Sequence, residues 1–300
     1  STLFPLTTLF RSGFLTREIR MAGFTGCYKG TPASFENILN NPGAFTGDAT
    51  TRITGNEWNG AGWTPALDAS LSGTVTNGTD VIVVRRMDSQ GVDLVNPYSD
   101  SAQLFIDPAD DSFANGDILM VTDCDKGSVF QVTNLQASGG KINVVHSNAG
   151  GYTPGNTNPQ LANSYGEGAE VAKLDATAFF IAAGADGEPA LFQRTLGASG
   201  GANAAMSNQE LVEDVENMQI LYGVDTDADG SANEYLTADA MPDMTKVVSV
   251  RVSLLLRTPT DHLASAPQSF TYNGAAFNAP DRRLRRVFNT TIKLRNRGVL

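Results

Sequence analysis

One short run of the sequence has the residue types and spacing of a metal-binding loop, the acidic run DTDADG at residues 225–230. Asp225, Asp227 and Asp229 alternate, so their carboxylates can point into one concavity, and Gly230 permits a sharp turn. Carboxylate oxygens are ligands that calcium prefers. The run therefore predicts a calcium site, to which Ser231 could add its carbonyl and Glu234 a further carboxylate.

The second half of this loop departs from the calcium-binding pattern. Its twelfth position does not hold the bidentate glutamate that such loops use, so Glu234 or Asp239 would have to bind in a different geometry. The alternative is a solvated acidic tip between two strands. The sequence leaves both interpretations open and suggests no cofactor other than calcium.

The sequence does not predict a catalytic group. His146 and Ser147 are neighbours at a strand end, so their side chains diverge and nothing marks a third partner. The glycine-rich residues 197–201 lack the strand-to-helix context of a phosphate loop. We therefore expect a protein that is not an enzyme.

The charge is strongly acidic overall and basic at the C-terminal end. The formal net charge of −11 repels nucleic-acid phosphates, so we expect no nucleic-acid partner. The last 19 positions nevertheless hold seven basic residues, namely Arg282, Arg283, Arg285, Arg286, Lys293, Arg295 and Arg297. They indicate either a partner-binding or ion-paired edge or a solvated strand face.

Most of the chain has the pattern of strands joined by turns and long loops. Thirty glycines among many polar residues are typical of a strand-rich protein. The strands expected between residues 80 and 146 follow one another with short turns, which predicts an antiparallel meander. Residues 147–169 are rich in Gly, Asn and Pro and predict a surface insertion.

Two segments have helical periodicity. Leu15, Ile19 and Ala22 recur at i, i+4 and i+7, which predicts the end of an amphipathic helix before Gly23. Residues 208–218 predict a second, internal helix. Its apolar face would consist of Leu211, Val215 and Met218.

Four segments of the chain are similar to PilW-like minor pilins of type IV pili. They are residues 14–27 (FLTREIRMAGFTGC), 116–124 (GDILMVTDC), 210–223 (ELVEDVENMQILYG) and 288–298 (FNTTIKLRNRG). The resemblance implies an α+β, pilin-like fold, in which an N-terminal helix end packs on an antiparallel sheet with long loops and one further helix. Residues 13–27 would be the end of a truncated N-terminal helix and residues 28–300 the globular β-rich head.

Residues 2–12 resemble a sequencing-adapter oligonucleotide translated in one frame and differ from that translation only at Leu6. We therefore interpret residues 1–12 as an assembly artefact and exclude them from fold reasoning. The alternative is a genuine apolar arm, which Pro5 would keep out of a helix interior. If these residues are an artefact, the true N-terminus, with any signal peptide or membrane-spanning helix, is missing.

The resemblance implies a structural, non-catalytic subunit that takes part in pilus assembly and priming at the inner membrane and at the pilus tip. Its partners would be other minor and major pilins, tip proteins and assembly-platform proteins, with a membrane contact through the missing helix. Leu15, Ile19 and Ala22 would belong to the helix that packs against partners. The expected location is the bacterial inner membrane, the periplasm and the cell-surface pilus.

Export to the periplasm would favour a disulfide between the two cysteines, Cys27 and Cys124. In a cytosolic chain they would be two buried thiols. A four-ligand zinc site would require both cysteines and the two distant histidines, His146 and His262, to converge, and the sequence does not favour this.

Two other functions remain open from the sequence. One is a J-class pseudopilin of type II secretion, which shares the pattern of residues 210–223. The other is a secreted adhesin or carbohydrate-binding module, for which Trp58 and Trp63 would have to be exposed and coplanar. A secreted hydrolase is disfavoured because no acid and base pair stands out.

Overall fold

The computed structural model describes residues 6–40, 51–109, 112–198 and 204–296, and for residues 6–12 it describes only the backbone. These ranges contain one α-helix, α1 (Leu6–Met21), and nineteen strands. The strands are β1 (Phe35–Asn37), β2 (Ile53–Trp58), β3 (Trp63–Thr64), β4 (Val81–Met87), β5 (Val92–Asp93), β6 (Gln103–Ile106), β7 (Ile118–Thr122), β8 (Gly127–Gln131), β9 (Asn134–Ser138), β10 (Lys141–Val145), β11 (Glu170–Ala183), β12 (Pro189–Ala198), β13 (Ala204–Glu213), β14 (Val215–Val224), β15 (Glu234–Leu236), β16 (Val247–Arg257), β17 (Ser269–Tyr272), β18 (Ala275–Asn278) and β19 (Arg285–Lys293).

The α+β prediction is wrong. Strands take up 46% of the described residues and helix 6%, so this part of the protein is mostly β and is built on a curled sheet of many strands. The cause lies largely in residues 204–224, where the structure has two strands, β13 and β14, in place of the predicted internal helix. Helix α1 is a single element at one side of this β architecture.

The largest sheet is organised around the long strand β11. Its first residues pair with β7, and its later residues pair with β4 on one side and β12 on the other. Strand β1 extends this sheet by a parallel pairing with β8, and β2 and β3 extend it beyond β4. Because β11 changes partners along its length, the sheet curls around it.

A second sheet, in the order β15-β14-β16-β19, covers one face of the large sheet. Helix α1 packs into the same core, where Leu15, Ile19 and Ala22 are buried beside Ile53 and Val252. A smaller sheet, in the order β6-β10-β9, and the hairpin β17–β18 complete the strand architecture. Within residues 80–146 the predicted meander holds only for the hairpins β7–β8 and β9–β10. It is wrong for the other strands, because β6 pairs with β10 and β4 pairs with β11 and β2.

The apolar spacing that suggested an internal helix arises from two bulges in strands. Leu191 pairs with Val212 and Phe192 with Glu210, which leaves Leu211 as the extra residue of the first bulge. A second bulge follows Val215, in the pairing of β14 with β16. Because each bulge inserts one residue, side chains that face one core are no longer two positions apart. The buried residues Leu211, Val215 and Met218 therefore reproduce a helical repeat.

His146 lies at the centre of the small sheet's core and is fully buried between the rings of Phe130 and Tyr98. Loss of hydration disfavours its charged form and lowers the pKa of the imidazole from 6.5 to about 4. The neighbouring Ser147 instead shares a hydrogen bond with the Thr133 hydroxyl at 3.1 Å. The two side chains diverge, as the sequence predicted.

The predicted disulfide is present. Cys27 and Cys124 are bonded across 97 positions of sequence, with a Cα–Cα distance of 4.7 Å. Lys29 N donates to Cys124 O at 2.7 Å beside it. The bond therefore ties the segment that follows α1 to the turn between β7 and β8.

Removal of this disulfide should lower the free energy of unfolding. The disulfide closes a loop across 97 positions of sequence, so its removal increases the conformational entropy of the unfolded chain. We therefore expect the double variant Cys27→Ser/Cys124→Ser to lose roughly 2–5 kcal/mol of unfolding free energy. Urea unfolding followed by circular dichroism measures the change. Reductant should lower the urea midpoint of the wild type and leave that of the double variant unchanged. Equal midpoints for the two proteins in the absence of reductant would contradict the prediction.

Candidate functional site: an acidic loop and a buried carboxyl pair

The acidic residues 225–230 form the tight turn that leaves β14 and leads to β15. Asp225 follows the last residue of β14, and Asp225 N donates to Lys246 O at 3.1 Å, which fixes the start of the turn. Ala228 and Gly230 have positive φ angles of 63° and 88°. These two residues turn the chain sharply enough to bring the three aspartates together.

The three aspartates can each offer one oxygen within 4.8 Å of the others. Several of their oxygens also accept hydrogen bonds inside the loop. Gly230 N donates to Asp225 Oδ2 at 2.7 Å, and Ser231 N donates to Asp229 Oδ1 at 2.7 Å. The loop thus has both the convergence of a cation site and the internal hydrogen bonds of a stable acidic turn.

The other two predicted ligands are placed differently. Ser231 adjoins the aspartates through its backbone N–H, which donates to Asp229. Glu234 is the first residue of β15 and pairs with Val224. Among the described residues, the group of converging acidic side chains consists of the three aspartates and does not include Glu234.

Partial burial opposes ionisation of Asp225, but backbone N–H donors from Gly230 and Ala228 outweigh it and lower the pKa of this carboxyl. Asp225 is therefore negatively charged at neutral pH, as a calcium ligand must be. The geometry suits oxygen coordination by three residues, and calcium binding stays a prediction.

A second group of functional interest, which the sequence did not reveal, is a carboxyl pair between the two large sheets. Glu57 lies near the end of β2 and Asp80 immediately precedes β4, while Tyr222 of β14 approaches from the second sheet. Asp80 and Tyr222 are almost fully buried. Asp80 Oδ2 accepts a hydrogen bond from Ile220 N at 2.8 Å, so this carboxyl joins the sheets directly.

Burial raises the pKa of both carboxyls. For Glu57, desolvation acts first, followed by repulsion from Asp80 and Asp239. For Asp80, desolvation outweighs the backbone donors of Ile220 and Trp58. Glu57 Oε2 and Asp80 Oδ1 are both shielded from solvent. A proton on one of the two carboxyls would supply the hydrogen-bond donor that two ionised carboxylates lack.

Gly55 makes this arrangement possible. A Cβ atom at position 55 would lie 1.9 Å from the Tyr222 hydroxyl, so only glycine lets β2 approach that ring. A signal for the site existed in the sequence, since Asp80 begins a strongly apolar strand, where carboxyls are rare. Its partners lie 23 and 142 positions away along the chain, and only the fold brings them together.

The two tryptophans do not form a flat platform. Their rings meet edge to face, with centroids 4.5 Å apart and planes at 70°. Trp63 Nε1 donates to Thr79 O at 2.9 Å, which anchors the β2–β3 turn to the protein. The coplanar arrangement that a carbohydrate-binding surface requires is therefore not formed by this pair.

The basic residues near the C-terminus divide into separate environments. The Arg285 side chain is buried and forms ion pairs with Glu216 and Asp281, at 2.6 and 2.5 Å. Arg283 pairs with Glu188 at 3.2 Å. Arg286 is exposed, and Arg297 lies outside the described residues. The ion-paired interpretation thus holds for part of this run.

Comparison with known families links the chain to pilus assembly. A family model described as Type IV Pilus-assembly protein W matches residues 178–296. That segment is PilW-like. It runs from within β11 through β19 and includes the acidic loop. Two of the four segments that carried the resemblance, residues 210–223 and most of 288–298, lie inside it.

The PilW match supports involvement in type IV pilus assembly, with partners in the pilus system and an association with the cell envelope. No curated protein and no solved structure matches the chain. Among the described residues, no helix is both long and apolar enough to cross a membrane. The predicted domain boundaries and the artefact interpretation of residues 1–12 stay predictions; residues 1–5 lie outside the described part.

The acidic loop generates a test of calcium binding. We expect titration calorimetry to show saturable Ca²⁺ binding that Asp227→Ala/Asp229→Ala abolishes, because each substitution removes the side-chain ligand oxygens. The double variant Asp123→Ala/Asp125→Ala, which removes the same charge from another acidic turn, should bind as the wild type does. Identical heats for the wild type and the loop variant would exclude the site.

The carboxyl pair generates a pH prediction. Because its pKa values are raised in the folded state, the folded protein retains protons that the unfolded chain releases. The contribution of this pair to stability is therefore greatest at low pH, and it is lost as the pH rises from the ordinary range of these carboxyls, about 4.5, through their raised pKa values.

Glu57→Gln should weaken this dependence, since its amide donates to Asp80 without titrating. We expect the variant to gain roughly 1–2 kcal/mol relative to wild type between pH 5 and pH 8, a modest value because Glu57 is partly solvated. Urea unfolding at both pH values measures it. The exposed Glu213→Gln is the matched control, and the same pH slope in all three proteins would refute the assignment.

Proposed function

We propose that this chain is a structural, non-catalytic minor pilin that takes part in assembly and priming of a type IV pilus, at the inner membrane and at the pilus tip. The observation that carries the proposal is the PilW family match over residues 178–296. Its partners would be the other minor and major pilins, tip proteins and assembly-platform proteins.

The position of the matched segment supports a structural role. It supplies β14, β16 and β19, whose inward side chains form the core against the large sheet. The opposite face of this sheet bears polar and charged residues, including Gln219, Arg251 and Asn289, and is covered in part by the β17–β18 hairpin. A rigid sheet with an exposed polar face is suited to lateral contact with other subunits.

Helix α1 supports the same role from the other side of the core. Leu15, Ile19 and Ala22 are buried against this chain's own sheets and fix the helix to the head. The exposed side of α1 carries Arg17 and Arg20. Contact of the helix with partners would therefore involve this charged side or the segment that precedes Phe14. The proposal also includes a membrane contact, made through an N-terminal helix that would precede this chain.

The non-catalytic part of the proposal is supported by the environments of the residues with nucleophile or base chemistry. The His146 imidazole is enclosed by aromatic rings, and the Ser147 hydroxyl is engaged by Thr133. A nucleophile and its base need mutual hydrogen bonding and access to substrate. This pair has a packing role instead.

A J-class pseudopilin of type II secretion is the second candidate, because residues 210–223 suit both families. The adhesin or carbohydrate-binding alternative loses its support, since Trp58 and Trp63 meet edge to face. Pilus and secretion functions predict different phenotypes, so genetics separates them.

Deletion of the encoding gene tests the proposal. We expect the deletion strain to display far fewer surface pili by electron microscopy while type II secretion continues, because a priming subunit limits assembly. The wild-type gene and the Ser147→Ala variant should restore pili equally. Normal piliation in the deletion strain would refute the proposal, and loss of secretion with intact pili would favour the pseudopilin.

A further inference from the structure

A cavity of about 390 Å³ lies beside helix α1, where the helix meets the chain that follows β19. Three separate parts of the sequence contribute arginines to its lining. They are Arg17 and Arg20 from α1, Arg86 from β4 and Arg295 from the segment after β19. This concentration of guanidinium groups is unexpected in a chain whose net charge is −11.

Hydrogen bonds to the backbone hold helix α1, β4 and the segment after β19 together. Arg295 N donates to Arg20 O at 3.1 Å, and the Asn296 side-chain amide donates to Met21 O at 3.2 Å. On the other side, Met87 N donates to Phe24 O at 2.6 Å, which joins β4 to the segment after the helix. The arginines therefore project from a fixed frame.

Two carboxylates beside the cavity are already engaged. Arg86 binds Glu18 at 3.1 Å and Asp175 at 2.9 Å, in one ion-paired group, and Asp88 is a third carboxylate close enough to act on Arg86. Arg17, Arg20 and Arg295 are exposed, and within the described ranges none of the three has a carboxylate at ion-pair distance. The four arginines outnumber these three carboxylates, so the local charge is positive.

The rest of the lining leaves room for a ligand and adds hydrogen-bond donors. Gly13 has no side chain, and Thr16 and Ser89 carry hydroxyls. Planar guanidinium groups bind the oxygens of a phosphate in a bidentate manner, and hydroxyls complete such sites. Two other surface cavities differ in charge: one holds Arg251 as its single basic residue, and the other contains Glu36 and Asp100.

We propose that this cavity is a binding site for a phosphate group, held by Arg17, Arg20 and Arg295 with a hydroxyl donor from Ser89. The phosphate belongs either to a soluble ligand or to the headgroup of an anionic lipid, because both present the same oxygens to the arginines. The site goes beyond the proposed pilus function and does not depend on it.

Binding of two probes to the purified 300-residue chain tests the proposal. Titration calorimetry at low ionic strength measures binding of inorganic phosphate. Co-sedimentation compares phosphatidylglycerol/phosphatidylcholine vesicles with pure phosphatidylcholine vesicles. We expect binding in at least one arm, and Arg17→Gln/Arg20→Gln should weaken it at least about tenfold, since it removes two of the three guanidinium groups that bind the phosphate.

The matched control is Arg251→Gln/Arg286→Gln, which removes the same charge from exposed positions elsewhere and should bind within about twofold of wild type. Circular dichroism verifies that both variants fold. Phosphate binding alone identifies a soluble ligand, whereas binding to anionic vesicles alone identifies a lipid headgroup; either outcome supports the site.

Three results would overturn the proposal. One is the absence of binding in both arms. Another is equal weakening by the control variant, which would indicate general electrostatic attraction. The third is binding of polyglutamate through Arg17 and Arg20 without binding of either phosphate probe, which would indicate an acidic protein partner. If the wild type binds neither probe and Arg17→Gln/Arg20→Gln is less stable than the wild type, the role of the two arginines is to stabilise helix α1 through its dipole.

Discussion

Burial of both faces of β11 is the constraint on which the rest of the structure depends. Phe179 and Ile181 point into the core shared with α1 and the second sheet, whereas Ala178 and Phe180 point into the core on the opposite face. Each large apolar side chain buried in this way contributes roughly 1.5–3 kcal/mol. A strand with two apolar faces is stable only between two layers, so the second sheet and the long loops must cover it.

The same layering creates the protein's chemically unusual groups. Where the sheets meet, Asp80 accepts a backbone hydrogen bond from β14, and burial raises the pKa of both Asp80 and Glu57. Where α1 meets the end of β19, backbone hydrogen bonds gather arginines from distant parts of the chain. Both groups lie at junctions between layers, and neither lies within one element.

Local patterns in the sequence predicted the regular strands well. The apolar run that became β4 lies where strands were expected, between residues 80 and 146, and it is buried on both faces. The acidic loop was also placed correctly between two strands, because alternating aspartates followed by Gly230 are typical of a tight turn. The internal helix failed because the bulges at Leu211 and after Val215 imitate a helical repeat, and bulges depend on partner strands.

The sequence by itself determined the acidic loop, most strand positions, the cysteine pair and the PilW-like resemblance. The loop, the strands and the resemblance each rest on residues that are close together in the sequence, and two cysteines allow only one pairing within the chain. Only the tertiary structure decided the mostly β class, the Glu57–Asp80 pair and the arginine cavity. The physical reason is that strand pairing and layer packing join residues separated by tens to hundreds of positions, and no local periodicity encodes which distant surfaces meet.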